Sequence, residues 1–168
     1  MYEFEYSLLL VFPAIMAYAG ATDLLTMKIP NRISIALVAG FFLLAPLIGL
    51  PLSTILMHVA AGLVVLAAAF VLFAIGGFGG GDAKLLAAGA LWIGMDGLIM
   101  YLVGVTLFGG ALALAILLYR KVPCDAYAIP AWAHRLHLPK SGIPYGIAIA
   151  ASALWVYPKT PWFSAFLA

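Results

Sequence analysis

The amino-acid sequence predicts an all-α, polytopic membrane bundle of about six transmembrane helices, with the N-terminus and the C-terminus outside. Composition is the first reason, because 67% of the 168 residues are hydrophobic and only 8% are charged, whereas about a quarter of a soluble domain is charged. The second reason is that apolar runs of membrane-spanning length alternate with glycine and proline breaks. Since one span needs about 20 residues, six helices fill the chain, and residues 1–168 form a single transmembrane domain.

The first half of the chain contains three predicted spans. Residues 6 to about 22 follow two glutamates and lack the positively charged start of a cleaved signal peptide. Residues 33–50 and 52–75 are the second and third spans, and the break Gly49-Leu50-Pro51 supplies a tight turn between them. We therefore expect spans two and three to form a helical hairpin.

The second half contains three further spans. Residues 83–119 are 37 in number, too many for one span, and the turn sequence at 94–97 divides them into helices four and five. Residues 120–141 carry charges and three prolines, which predict a loop at the interface. Residues 142–157 are the sixth helix. Two tryptophans near the end of the chain are expected at the level of the lipid headgroups: Trp155 and Trp162.

The positions of the basic residues predict the orientation. With the N-terminus outside, seven of the eight Lys and Arg residues lie on the cytoplasmic side, as the positive-inside rule requires. Only Lys159 then lies outside. The seven cytoplasmic residues are Lys28, Arg32, Lys84, Arg120, Lys121, Arg135 and Lys140.

The composition also excludes several kinds of chemistry. Cys124 is the only cysteine, so an internal disulfide, a four-cysteine zinc site and a paired-cysteine redox motif are excluded. Basic residues are spread along the chain, which argues against a nucleic-acid partner. We expect no cofactor and no bound metal, and any chemistry then depends on aspartate, glutamate or histidine.

Two of the six acidic residues, Asp23 and Asp82, are predicted at the same membrane face. An ionisable residue at membrane depth indicates function by default. The structural alternatives are that Asp23 is a solvated residue ending helix one and that Asp82 is the N-cap of helix four. Five glycines precede Asp82 within six residues, and they allow another chain, such as an extended peptide, to approach closely. The phosphate-binding GxxxxGK[ST] spacing is absent there.

Two carboxyl groups that meet from distant helices support hydrolysis without a metal. Like charges a few ångströms apart cannot both ionise, so the pair shares a proton. One group then activates water towards a peptide carbonyl, and the other protonates the leaving group or polarises the carbonyl. This chemistry requires both Asp23 and Asp82.

Three motifs resemble those of the type IV prepilin peptidases. Gly79, Gly80, Gly81 and Asp82, continued by Ala-Lys-Leu, fit the GxGDxKL form. Asp23 is followed by Lys-Ile-Pro-Asn at 28–31, which resembles the second motif of that family. Ile-Pro-Tyr-Gly at 143–146 is similar to the segment that opens its last helix. The chain looks like the short form associated with tight-adherence (Flp-type) pili.

The resemblance implies a membrane-embedded aspartic endopeptidase of the bacterial cytoplasmic membrane. Asp23 and Asp82 match the catalytic pair, and the site lies at the cytoplasmic face. The implied partners are the lipid bilayer and a prepilin or pseudopilin substrate, from which the enzyme removes the leader just before the apolar N-terminal helix. Larger relatives also methylate the pilin and carry a loop with paired cysteines. That loop is missing here, so neither zinc nor methylation is expected.

Other polar residues have a functional and a structural interpretation. Gly79, Gly80 and Gly81 are expected to support the site, Lys84 either holds a carboxylate or extends to the interface, and Pro144 with Tyr145 either lines the substrate groove or opens a helix. The remaining residues are expected to be packed, in loops or on the surface: His58, Asp96, Asp125, His134 and His137.

Two functions from other classes compete with the peptidase. A small transporter would use the glycine-rich break and the aspartates along an ion pathway, but both acids sit at one end of the membrane instead of its middle. A non-catalytic scaffold of a pilus or secretion assembly would pack pilin helices without cutting them. It would tolerate Asp→Asn at both positions.

Overall fold

The structure is a computed structural model that describes residues 8–122, 130–138 and 141–163. The regular structure of these residues is helical. The predictions made for Cys124, Asp125 and Lys140 lie outside the described residues. The helices are α1 (Val11–Thr26), α2 (Asn31–Leu47), α3 (Leu52–Ala74), α4 (Gly80–Tyr119), α5 (Ala131–His137), α6 (Gly146–Val156) and a 3-10 turn (Tyr157–Lys159).

Helix α1 extends four residues beyond the predicted end, so Asp23 lies within its last turn. The residue after the helix, Met27, is its C-cap and adopts a left-handed conformation with φ 56°. Its N–H donates to the Asp23 carbonyl at 2.7 Å. Pro30 then has the extended backbone that precedes α2, a position where the absence of a backbone N–H costs nothing.

The predicted turn between the second and third helices is confirmed. Gly49 has φ +75°, a conformation that glycine adopts without the steric cost of a Cβ. The turn joins α2 and α3, and both helices contact α4 far more than they contact each other.

Helix α4 is a hairpin of two helical segments, 80–93 and 95–119, as the turn sequence predicted. At Gly94 the backbone has φ 78° and ψ 176°, which only glycine adopts readily. The Tyr101 hydroxyl donates to the Leu86 carbonyl at 3.4 Å, although 15 residues of straight helix would separate them by about 22 Å. The hairpin lies at the centre of the bundle, against α2, α3 and α6.

The end of the bundle near Gly94 has an aromatic core. Trp92 stacks on Phe12 at 5.0 Å and on Trp162 at 4.4 Å between ring centroids. Trp162 is 1% exposed, and its indole N–H donates to the Trp92 carbonyl at 3.0 Å. The expectation that Trp162 lies among the headgroups is therefore wrong, because its ring fills the core. Trp155 is exposed.

The last predicted span is shorter than expected. Helix α6 begins at Gly146 instead of residue 142, since Pro144 disfavours helical geometry at the residue before it. Its 11 residues measure about 17 Å, less than the roughly 30 Å of a bilayer core. Of the described helices, α3 and α4 are long and apolar enough to cross a membrane. The count of six transmembrane helices and the orientation of the termini remain predictions.

Candidate active site

Asp23 is buried at the contact between the first and last helices. It is 5% exposed, and its Oδ2 accepts a hydrogen bond from the Gly146 N–H at 2.8 Å. Gly146 is the first residue of α6, whose N-terminal N–H groups lack partners within the helix. The Asp23 carboxyl group, which belongs to α1, therefore accepts a hydrogen bond from the N-terminus of α6. This bond fixes the position of the carboxyl group.

Asp82 lies in the first turn of α4, and glycine is needed beside it. The helix begins at Gly80 after Gly79, three residues earlier than predicted, so the N-cap interpretation of Asp82 is wrong. Its carboxyl group folds back over Gly79, where a Cβ would lie 2.5 Å from Oδ2. A side chain at residue 79 would displace the carboxyl group.

Gly81 allows the link between α1 and α2 to approach the start of α4. A Cβ at Gly81 would lie 3.2 Å from the Ile29 Cβ and 3.4 Å from its carbonyl oxygen. The side chain of Ile29 also packs close to Gly146, the residue that binds Asp23, since its Cδ1 would lie 2.9 Å from a Cβ at Gly146. Ile29 thus lies between the surroundings of Asp82 and those of Asp23.

The structure brings the two aspartates together. Asp23 and Asp82 are close enough to interact electrostatically, although they are on different helices and 59 positions apart in the sequence. Asp23 is buried and Asp82 is half-buried, so Asp82 is the more accessible residue of the two. Such a pair is suited to acid–base catalysis.

The segment before α6 places its predicted site residues next to Asp23. Pro144 is buried and lies two residues before Gly146. The Tyr145 ring meets the Phe78 ring edge to face at 6.4 Å, and its hydroxyl lies against Gly109. Tyr145 therefore connects the glycine-rich loop to the second segment of α4.

Two predicted supporting residues do not contact the aspartates. Lys84 donates to the Asn31 side-chain oxygen at 2.9 Å, so it joins α4 to the start of α2 instead of holding a carboxylate. A Cβ at Gly80 would lie 3.2 Å from the Phe73 ring, which makes Gly80 a packing position.

Two arginines secure the loop segments around this end of the bundle. Arg135 of α5 donates to the Leu25 carbonyl at 3.0 Å, one of the last carbonyls of α1, which lack partners within the helix. Arg120 donates to the carbonyls of Leu136 at 2.9 Å and Ser141 at 2.7 Å. Residues 120–141, expected as a loop, thus contain a short helix, α5, that is hydrogen-bonded to the end of α1.

The remaining candidates lie apart from the pair. His58 is 2% exposed and donates from Nδ1 to the Leu91 carbonyl at 2.9 Å, so its expected packing role is confirmed. Asp96 and His134 are exposed. The His137 ring packs against Tyr119. Within residues 8–122, 130–138 and 141–163, no three His, Cys, Asp or Glu side chains converge as metal ligands would.

Sequence reasoning assigned no role to Gly146 or Ile29. Both were inside quoted motifs, Ile-Pro-Tyr-Gly and Lys-Ile-Pro-Asn, so the motifs signalled their position. Their functions depend on contacts with Asp23 and with Gly81, which are distant in sequence. These contacts become visible only when α1 packs on α6 and when residues 27–30, which join α1 to α2, pack on α4.

The fold and site define an all-helical protein with a pair of interacting carboxyl groups at one end. The model of the type IV leader peptidase family matches residues 10–114, a segment that includes both aspartates. The chain belongs to this family, which confirms the resemblance to type IV prepilin peptidases. The family consists of membrane-embedded peptidases with prepilin substrates. No curated protein and no solved structure matches the chain.

Proposed function

We propose that this chain is an aspartic endopeptidase of the bacterial cytoplasmic membrane that removes the leader of Flp-type prepilins at the cytoplasmic face. The observation that carries the proposal is that Ile29 packs against both Gly81, the neighbour of Asp82, and Gly146, which binds Asp23. Both aspartates lie within the segment that matches the leader peptidase family. The basic residues assign the end of the bundle with the two aspartates to the cytoplasmic side.

The reaction is hydrolysis of one peptide bond by water. The ionised carboxyl group of the pair takes a proton from water as the water oxygen attacks the scissile carbonyl carbon. The protonated carboxyl group gives its proton to the leaving amine when the C–N bond breaks. The Gly146 N–H holds the Asp23 carboxyl group at 2.8 Å, so this group is oriented before the substrate arrives, which lowers the cost of reaching the reactive geometry.

The glycine-rich loop supplies the approach for the substrate. Residues 76, 77 and 79 are exposed, and without side chains they leave room for an extended peptide beside Asp82. Phe78 and Tyr145 form an aromatic contact beside this loop. Here the junction between the leader and the apolar helix of a prepilin would meet the carboxyl pair.

Cleavage of a co-expressed prepilin tests the proposal. Asp23→Asn and Asp82→Asn keep the size of each side chain but remove the acid, so each should lower cleavage by roughly 10²- to 10⁴-fold. Gel mobility and N-terminal sequencing of the pilin give the readout. Asp96→Asn is the matched control, because Asp96 is exposed and lies beside the break at the other end of the hairpin.

Protein levels and thermal unfolding of each variant separate loss of chemistry from loss of fold. Mature pilin at wild-type levels from both Asn variants would refute the aspartic mechanism and favour the scaffold. Equal loss in Asp96→Asn would mean that the assay reports folding instead of the carboxyl pair.

A further inference from the structure

A groove opens between α2 and α3 over the surface of α4. Because these two helices contact α4 more than each other, they leave a cavity of about 690 Å³. Exposed apolar residues form its walls, including Val38 and Phe42 on α2 and Leu63 and Leu66 on α3, and Ala88 of α4 lies at its floor. A cavity of this size and composition falls in the range of ligand sites.

One end of the groove is polar. Lys84 and Asn31 line it and are joined by their 2.9 Å hydrogen bond, which uses one of the three N–H donors of the lysine. Ser34 also lines the groove and is 9% exposed, and its hydroxyl has no hydrogen-bond partner in the described residues. That hydroxyl is enclosed by the protein, so Lys84 and Asn31, which are both exposed, are the polar groups at this end that a ligand can reach.

The charges around this end favour an anion. Lys84 lines the groove and Arg32 is exposed on the first turn of α2, while α3, Leu52–Ala74, contains no Asp, Glu, Lys or Arg. Asp82 precedes Lys84 by two residues, which places it about 160° away around α4. The catalytic carboxyl pair therefore faces away from the groove, and this is a separate site.

The length of the groove distinguishes a lipid from a transmembrane helix. Along α2 it extends from Asn31 to Phe42, a distance of about 17 Å. This is close to half of the roughly 30 Å core of a bilayer. A transmembrane helix would need a groove across the whole core, whereas an acyl chain occupies one leaflet.

We propose that this groove binds an anionic phospholipid from the leaflet on the side of the carboxyl pair. The headgroup phosphate accepts a hydrogen bond from the Lys84 ammonium, and one acyl chain lies along the apolar walls. Basic pockets between transmembrane helices bind anionic headgroups in this way. The site goes beyond the proposed peptidase activity and does not depend on it.

Lipid binding to the purified full-length protein in detergent tests the proposal, by native mass spectrometry with phosphatidylglycerol and phosphatidylcholine of identical acyl chains. The wild type should bind phosphatidylglycerol more tightly. Lys84→Gln should weaken that affinity about fivefold, the factor that one lysine contributes at an anionic surface, and leave phosphatidylcholine unaffected. Lys121→Gln removes the same charge from an exposed position outside the groove and should bind like the wild type.

A further variant blocks the groove itself, and its unfolding temperature in the absence of lipid separates lipid binding from folding. Ala39→Trp, at an exposed position in the groove, should fill it and abolish preferential binding. Equal affinity of the wild type for both lipids would overturn the proposal, as would unchanged phosphatidylglycerol binding in Ala39→Trp. Loss of a dimer in Ala39→Trp with lipid binding intact would assign the groove to a second copy and also overturn it.

Discussion

At one end of the bundle, rings from α1, α2, α4 and the chain's last described residues pack together around Trp92. At the other end, two glycines allow close approach of other parts of the chain: Gly81 to Ile29, and Gly146 to Asp23. The aromatic end is held by large buried side chains, and the indole N–H groups of Trp92 and Trp162 both donate to backbone carbonyls. At the carboxylate end the contacts around the two aspartates are made to glycines. The largest buried rings and the proposed active site therefore lie at opposite ends of the same helices.

The largest expected effect is a loss of stability at the aromatic end. Trp92→Ala removes a fully buried ring that contacts Phe12, Phe41 and Trp162, so the free energy of unfolding should fall by about 3–5 kcal/mol. Thermal unfolding in detergent measures it. Phe78→Ala removes a half-buried ring at the carboxylate end and should cost much less. Equal losses in the two variants would contradict the division between the ends.

The next effect is on activity. A Cβ in Gly146→Ala would lie 2.8 Å from the Asp23 Oδ2 and 2.9 Å from the Ile29 Cδ1, so the carboxyl group must move. A displacement near 1 Å lowers catalysis by about 10²-fold, which the prepilin cleavage assay detects. Gly110→Ala is the control, because a Cβ there meets nothing within 4 Å. Full activity of Gly146→Ala would show that the position of Asp23 is not critical.

A third change affects the turn at the aromatic end. Gly94→Ala places a Cβ 2.7 Å from the His58 Nε2 and requires φ near +78°, so its unfolding free energy should fall by roughly 1–3 kcal/mol from backbone strain alone, and further from the clash. Gly49→Ala has a similar φ, +75°, with nothing within 4 Å, and shows the cost of a positive φ without a clash. Chemical unfolding of both variants measures the difference, and a loss in Gly94→Ala no larger than that in Gly49→Ala would contradict the expected strain and clash at residue 94.

The smallest expected effect is a loss of stability at the carboxylate end. Asn31→Ala removes the acceptor of the Lys84 hydrogen bond. Both residues are exposed, so the free energy of unfolding should fall by about 0.5–1 kcal/mol. Thermal unfolding in detergent without anionic lipid measures this loss. A loss above about 2 kcal/mol would mean that this single bond, and not close backbone packing, holds that end together.

The sequence predicted the features that depend on local conformation or on a motif. Gly49 and Gly94 were expected at turns because each lies at a break between apolar runs that are together too long for one span. Asp23 and Asp82 were paired because of the motifs around them. The burial of Trp162 was missed, because its contacts with Trp92 join residues 70 positions apart and no local pattern records them. For the same reason, neither the Gly146 bond to Asp23 nor the groove between α2 and α3 was foreseen.

The hydrogen bond between Asp23 and Gly146 has a consequence for the synthesis of the protein. Its partners are 123 residues apart, so at typical translation rates roughly 6–25 s pass between their incorporation. Once residue 82 has been added, Asp23 and Asp82 are both in the nascent chain, but the Gly146 amide that orients Asp23 has not been made. The proposed active site therefore cannot adopt this geometry before residue 146 has been made, and we expect a shorter nascent chain to be inactive.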